Sequence, residues 1–377
     1  MGKLILSAHV MEERIRRARS LMRVLNVDAL ILTVSSELEW LLGYKAHATE
    51  RVTAFVLGAR SSGQPVLIAP ELEVETLKVP DELFNLIKWS TNQDPFDMIR
   101  DQFIFAKDVK VLVGSHTWAQ HLLPIQERLN WVEWDMASEV ISQLRREKER
   151  FEIDALREVA GCVDRVIVRI QSGSVPLLGR TERSVAVDVA QLMRDEGHEE
   201  IGFVIVATGA NAGDPHHEPD DTVIEKGHIV LFDIGGLRNG YCSDITRCVH
   251  MGEPSDEVRL AYNLLRRAQQ TAFEVARPGM PVRELDSVAR DIIREGGYGE
   301  RFIHNLGHGI GRDMHEAPFV IEGGNEVLQK GDCFSIEPGI YCSEQGWGMR
   351  LEDIVYLTED GAVHLNTPRR DLVVIPV

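Results

Sequence analysis

Three histidines, His304, His308 and His315, fall within twelve residues of the run HNLGHGIGRDMHEAP. Imidazole carries protons near neutral pH and binds metal ions, so a Gly-rich run presenting three of them is a candidate for either task. His308 stands between Gly307 and Gly309, where a missing Cβ lets a second backbone or a bound ion approach. A metal reading requires carboxylates elsewhere in the chain. Four meet it: Asp233 in LFDIGG, Asp244 in GYCSD, Glu337 in FSIEPG and Glu352 in RLEDIV. A carboxylate inside such apolar strands is costly to bury unless a counter-charge or a metal meets it. With His308 these acids form a set of oxygens and one imidazole without thiolate, which suits manganese or cobalt and is compatible with zinc. Four carboxylates exceed the need of one ion. The set therefore reads as two divalent ions, bridged by carboxylates and holding a hydroxide between them, and the usual use of that arrangement is hydrolysis.

The elements that would position these residues repeat. Thr222–Gly236 (TVIEKGHIVLFDIGG) aligns with Glu326–Ile340 (EVLQKGDCFSIEPGI) at an offset of 104, which superposes Asp233 on Glu337. Upstream, Thr181–His198 and Pro281–Tyr298 share a helical pattern at an offset of 100, each ending at glycine. Two copies of a helix followed by antiparallel strands, related by a pseudo-twofold, would converge on one cleft. Asn239-Gly240 predicts a two-residue hairpin turn that pairs Gly235 with Asp244 and makes Asp233 and Asp244 diagonal neighbours on one sheet face. Glu337 and Glu352 flank a second turn, SEQGWG, with the odd spacing that also puts both on one face.

Ahead of this duplicated region the pattern alternates. A helix is expected from residue 11, then the strand ALILTV and a capped helix start at SSELEWLLGY. Strands are expected at Thr53–Leu57, Pro65–Ile68 and Lys110–Val113, and helices around Glu71–Leu77 and Trp118–Leu129. That is an α/β domain, and without a ligand cluster it reads as scaffold or dimer surface. A charged helical tract covers residues 138–172, with a composition shift at LRREKER. The expected division is 1–140 for the α/β domain and 141–377 for an α+β domain with the internal duplication. A chain of 377 residues accommodates both.

Forty-one basic against 59 acidic residues, a net charge of −18, argue against a partner held by nucleic-acid phosphates. The N-terminal apolar run is too short for a signal sequence, and no run is long enough to cross a membrane. Five scattered cysteines suggest neither a zinc ribbon nor a disulfide framework. The expectation is a reduced, cytoplasmic protein. Cys242 and Cys248 flank Asp244 with no role beyond packing.

GHGIG followed by HE, the aspartates of FDIGG and GYCSDITR, IEPGIY and the R-L-E-D run together resemble the pita-bread metallopeptidases, in the branch of prolidase and aminopeptidase P. The resemblance covers about residues 145–377 closely. It covers the first 140 more loosely, like the N-terminal domain of creatinase and prolidase. It implies Asp233, Asp244, His308, Glu337 and Glu352 as metal ligands, with Asp244 and Glu352 bridging and Glu337 handling the proton of the attacking hydroxide. His216 matches the family's active-site histidine, ahead of its neighbour His217. His304 and His315 match histidines that bind substrate and steady the tetrahedral intermediate, and Arg350 matches an arginine supporting Glu352. Arg312 and Met314 depart from the family pattern and bear on substrate shape near His315.

The implied activity is hydrolysis of Xaa-Pro bonds, foremost in dipeptides, by a homodimer. The alternatives are an aminopeptidase P acting on longer peptides, a hydrolase of another substrate on this fold, and a pseudo-enzyme that binds peptides. The last conflicts with a complete ligand set.

Overall fold

The computed structural model describes residues 6–43, 48–60, 63–74, 82–103 and 109–377. The chain divides into two compact units, 1–145 and 146–377.

In the first unit α1 (Ala8–Val24) is capped by the Ser7 hydroxyl, and buried Met11, Ile15, Ala18 and Met22 form its inner stripe. There follow β1 (Ala29–Thr33), α2 (Ser36–Leu42), β2 (Ala54–Gly58), β3 (Val66–Pro70), α3 (Glu71–Val74) and β4 (Asn85–Trp89). Then come α4 (Pro95–Asp101), β5 (Lys110–Val113), α5 (Ala119–Arg128), β6 (Glu133–Met136) and α6 (Ser138–Arg146). Among the described residues the sheet has six strands in the order β4-β3-β2-β1-β5-β6. Every residue of β1 is buried, as a central strand covered on both faces requires. Leu30 and Leu32 enter one core cluster while Ala29 and Ile31 enter another. The edge strands β4 and β6 are half-exposed and lack such an apolar run, which is why the sequence pattern does not announce them. Of the helix expected over Glu71–Leu77, α3 covers the part through Val74; the rest lies outside the described residues.

The charged helical tract at 138–172 forms two helices. Glu149 and Glu152 form a reciprocal capping box that starts α7 (Arg150–Gln171) afresh. The second unit continues with α8 (Glu182–Asp195), β7 (Glu200–Thr208), β8 (Ile229–Arg238), β9 (Tyr241–Met251), α9 (Asp256–Val275) and α10 (Val282–Glu295). After these come β10 (Gly307–Gly309), β11 (Glu316–Val320), β12 (Cys333–Ile336), β13 (Gly339–Cys342), β14 (Trp347–Arg350), β15 (Asp353–Thr358), β16 (Gly361–His364) and β17 (Val373–Ile375). They form sheets ordered β17-β9-β8-β7 and β11-β10-β12-β15-β16, with β13-β14 as a separate pair.

The duplication recurs in the hydrogen bonds. Gly179 N donates to Ile224 O and Gly279 N to Leu328 O, both at 2.8 Å. Glu182 N donates to Thr222 O and Val282 N to Glu326 O, both at 3.0 Å. Bridges Thr181↔Val223 and Pro281↔Val327 keep the same offsets. The Lys-Gly turns match as well, with Gly227 at φ +85° and Gly331 at φ +91°. In the first half Val230, Phe232 and Ile234 share a core cluster with Val163 and Val166 of α7 and Val185 and Val189 of α8. Strand alternation therefore sends Asp233 to the opposite face.

Among the described residues no helix is long and apolar enough to cross a membrane. All five cysteines are buried and free.

Candidate metal centre

Asn239 (φ 53°) and Gly240 (φ 76°) make the left-handed turn that joins β8 to β9. The ladder from it sets Gly235 opposite Asp244 and Asp233 opposite Thr246. Asp233 and Asp244 are diagonal neighbours on one face, as the turn predicts.

The second half breaks its ladder at the acids. Ile336 pairs with Asp353 and Gly339 with Arg350, so Glu337 and Glu352 face each other in register where both strands are interrupted. Pro338 has no N–H for a ladder. Glu337 N donates instead to Leu306 O at 2.9 Å, and Glu352 N to Thr246 O at 3.2 Å, which ties the second pair of acids to the first.

His308 sits in β10, and its N–H donates to Ser335 Oγ at 2.9 Å. A Cβ on Gly307 would lie 2.0 Å from Ser335 O, and one on Gly309 2.3 Å from Ala317 O. The flanking glycines thus admit neighbouring backbone on both sides. His308 Nε2 stands 3.3 Å from Glu337 Oε1 and 3.7 Å from Asp244 Oδ2.

A cavity of about 430 Å³ is lined by all nine residues singled out from the sequence: His216, Asp233, Asp244, His304, His308, His315, Glu337, Arg350 and Glu352. His315 lies with its ring 3.9 Å from that of His308. His304 Nε2 meets Tyr341 Oη at 2.8 Å. His217 turns away, its Nε2 2.6 Å from the Glu182 carboxylate. Arg312 lies outside the cavity lining, its guanidinium over the Tyr241 ring at 4.9 Å. The thiols of Cys242 and Cys248 donate to Arg312 O and Arg350 O, each at 3.5 Å.

One expected contact differs. Arg350 pairs directly with Asp233, not with Glu352, and donates to Tyr341 Oη at 2.7 Å and Thr246 Oγ1 at 3.0 Å. Thr246 Oγ1 in turn donates to Glu352 Oε2 at 2.8 Å. The Thr246 hydroxyl thus links Arg350 to Glu352 by hydrogen bonds, and the guanidinium also attracts the Glu352 carboxylate directly. Thr246, Ser335 and Tyr341 are the contacts that sequence reading missed. Two of them had a signal: Thr246 follows Asp244 by two residues and Ser335 precedes Glu337 by two, the strand period. Nothing local marks Tyr341, or the apolar wall of Phe203, Ile205 and Phe319.

Residues 154–359 match the model of Metallopeptidase family M24, and residues 14–146 that of the Creatinase/Prolidase N-terminal domain. The chain belongs to metallopeptidase family M24. It is 40% identical to the probable dipeptidase PepE of Mycobacterium tuberculosis across the full length of both chains. It is 36% identical to the Xaa-Pro dipeptidase of Lactobacillus helveticus, over 93% of this chain and 96% of that one. Among solved structures, dipeptidase PepE of Mycobacterium ulcerans superposes with a TM-score of 0.93 at 37% identity, covering 99% of this chain and 100% of that one. Prolidase of Thermococcus sibiricus superposes at 0.88 with 33% identity, over 97% and 99%. The fold is a creatinase-type N-terminal domain followed by the M24 pita-bread domain.

The electrostatics of this M24 site call for cations. Burial foremost, then neighbouring carboxylates, push the Asp244 and Glu352 carboxyls well above the usual carboxylate range. Burial pushes Glu337 up to about 7 against the pull of Arg350. Asp233 Oδ1 and Glu352 Oε1 are buried without a hydrogen-bond partner, a state that costs free energy unless a cation meets them. Asp233, Asp244 and Glu352 bring one oxygen each within 4.8 Å of one another, as do ligand atoms of His308, Glu337 and Glu352. Two overlapping positions that share Glu352 fit the divalent ions of an M24 metallopeptidase.

Proposed function

We propose that this M24 peptidase hydrolyses Xaa-Pro bonds, foremost in dipeptides, using two divalent ions, manganese or cobalt. The observation that carries the reading is the convergence of four carboxylates and His308 on one cavity, with two buried carboxylate oxygens left unpartnered. Relatives named Xaa-Pro dipeptidase support the substrate class. Asp233, Asp244 and Glu352 would hold one ion and His308, Glu337 and Glu352 the other, with Asp244 close enough to His308 to join both. Ions held there supply Lewis acidity and lower the pKa of water toward neutrality.

The other tasks fall to side chains. Glu337, beside His308 in the cavity, would take a proton from the attacking water and give it to the leaving proline nitrogen. That nitrogen carries no N–H until the bond breaks. His216, His304 and His315 line the cavity, and His216 and His315 offer N–H donors to the carbonyl oxygen as it gains charge. Burial foremost pushes His304 down to about 3, so its one N–H, on Nδ1, donates to Asn305 O while Nε2 accepts from the Tyr341 hydroxyl. Arg350 orients Asp233, and Phe203, Ile205 and Phe319 give the pyrrolidine ring an apolar wall.

The test is hydrolysis of Ala-Pro and Ala-Pro-Ala by metal-stripped protein before and after manganese is added. Metal-dependent cleavage of the dipeptide alone is expected. Cleavage of the tripeptide moves the reading to aminopeptidase P, and cleavage of neither overturns Xaa-Pro specificity. We also propose a cytoplasmic homodimer, which sedimentation as a monomer at micromolar concentration would overturn.

A further inference from the structure

His216, His304 and His315 are carried by loops, and a loop must be held from elsewhere if its side chain is to stay in place. His216 belongs to residues 209–221, between β7 and β8. Glu182, the first residue of α8, is fully buried behind this loop. Its carboxylate accepts from Thr208 N at 2.7 Å, Asn211 Nδ2 at 3.2 Å, His217 Nε2 at 2.6 Å and Asp220 N at 3.2 Å. Those donors stand before, within and after the turn that bears His216. A helix N-terminus favours the buried anion that does this, and its oxygens are supplied with donors from the loop.

The second half has Val282 at the matching place on α10, and Val282 is core. The task passes one turn along the helix. Asp286, also fully buried, holds Arg290 through bonds of 2.7 and 2.9 Å and accepts from Leu306 N at 3.1 Å. Arg290 donates to Phe302 O and to His304 O, each at 2.9 Å, so its fork spans the backbone on either side of Ile303. The anchored residues bracket His304.

We propose that Glu182 and the Asp286–Arg290 pair are positioning residues, one buried clasp per half, each fixing the loop that presents a cavity histidine: His216 in the first half and His304 in the second. The proposal rests on the peptidase reading of the cavity. Neither clasp touches the acidic side chains or that of His308; the nearest approach is Leu306, whose N–H donates to Asp286 and whose carbonyl accepts from Glu337 N, and Arg290→Lys leaves Asp286 in place. Loosening a clasp therefore displaces a cavity-facing histidine while leaving the metal ligands in place, and a misplacement of about 1 Å can reduce turnover by about 100-fold.

The variants are Glu182→Gln, which keeps volume but turns an amide N–H toward donors, and Arg290→Lys, which keeps charge but loses the fork. In full-length, metal-free protein, hydrogen exchange is expected to quicken in peptides covering 208–221 for Glu182→Gln and 302–306 for Arg290→Lys, and not in the other clasp's loop. With manganese, kcat/KM for Ala-Pro should fall about 10- to 100-fold, with bound manganese per chain unchanged. The loss from Glu182→Gln should vanish in a His216→Ala background, and that from Arg290→Lys in a His304→Ala background. Crossed pairs should multiply. Unchanged loop exchange, or losses that multiply within one half, would overturn the proposal, because a merely structural ion pair predicts the latter. Should Glu182→Gln fail to fold, Glu182→Asp serves the same comparison. A wild-type protein that cleaves no Xaa-Pro peptide would remove the proposed function, and loop exchange alone would then judge the clasps.

Discussion

In the first half of the catalytic unit, β8 and β9 run as an unbroken ladder of ten pairs and both acids are aspartates; in the second, the ladder is cut at the acids and both are glutamates. The entries to the helices differ as well. The Thr181 hydroxyl caps α8, whereas Pro281 precedes α10 with no side-chain cap. What the halves share is the frame of backbone bonds and the left-handed glycine turns. A duplicated frame is thus preserved by backbone geometry while the side-chain solutions diverge. The shorter acid goes with continuous strand, and the longer one with a gap.

The strongest way to break this comparison removes one acid from each half. Asp244→Ala and Glu352→Ala should each lower bound manganese and reduce Ala-Pro hydrolysis by about 1,000-fold, read by elemental analysis and turnover. A variant that keeps both would show that its half contributes no ligand.

Next in size is the joint between the halves. Arg247 of β9 pairs with Asp353 of β15, both about 1% exposed, and Gln269 Nε2 also donates to Asp353 at 3.0 Å. Asp353→Ala leaves Arg247 buried without its anion and should destabilise by about 3–5 kcal/mol. A urea midpoint shifted by much less, at constant m-value, would mean the halves do not depend on this pair.

The turns sharpen the comparison on a smaller scale. Gly240 at φ 76° closes the intact hairpin and Gly346 at φ 78° closes the cut one. Replacing either by Ala should cost about 1 kcal/mol by chemical denaturation. Equal losses would assign the penalty to turn geometry, and unequal ones to the ladder behind it.

The last test is a pH dependence on edge strand β16. His364 stacks on Phe273 with ring centroids 3.8 Å apart, and burial foremost pushes it down from 6.5 to about 4. Above pH 6.5 neither the folded nor the unfolded chain protonates it. As the pH falls from there toward 4, the unfolded chain takes a proton that the folded one refuses, so stability declines and then levels off. His364→Gln should lessen that decline, seen as a wild-type-to-variant gap in urea midpoint that changes between pH 7 and pH 5. Parallel behaviour would exclude His364 as its source.

Much of this was legible in residue order. Asn239-Gly240 set the register that aligns Asp233 with Asp244, and the offset of 104 drew Glu337 beside them. Gly307 and Gly309 announced a close approach without saying that its partner would be backbone. The interruption at Glu337 and Glu352 was not read from the sequence, because the acceptors of their N–H groups, Leu306 O and Thr246 O, lie in distant segments. Edge strands β4 and β6 escaped notice because half-exposed segments need no apolar run.

By itself the sequence determined what acts within a few residues or repeats along the chain: helix stripes, turn handedness, strand parity, the duplication and the chemical type of each candidate ligand. Only the tertiary structure decided that nine separated residues share one cavity, that Asp233 Oδ1 and Glu352 Oε1 are left without donors, and that Arg350 goes to Asp233. Those outcomes depend on side-chain reach and on which donor arrives first between segments about a hundred residues apart. A local pattern carries no information about such competition, because the competing groups meet only when the two halves pack.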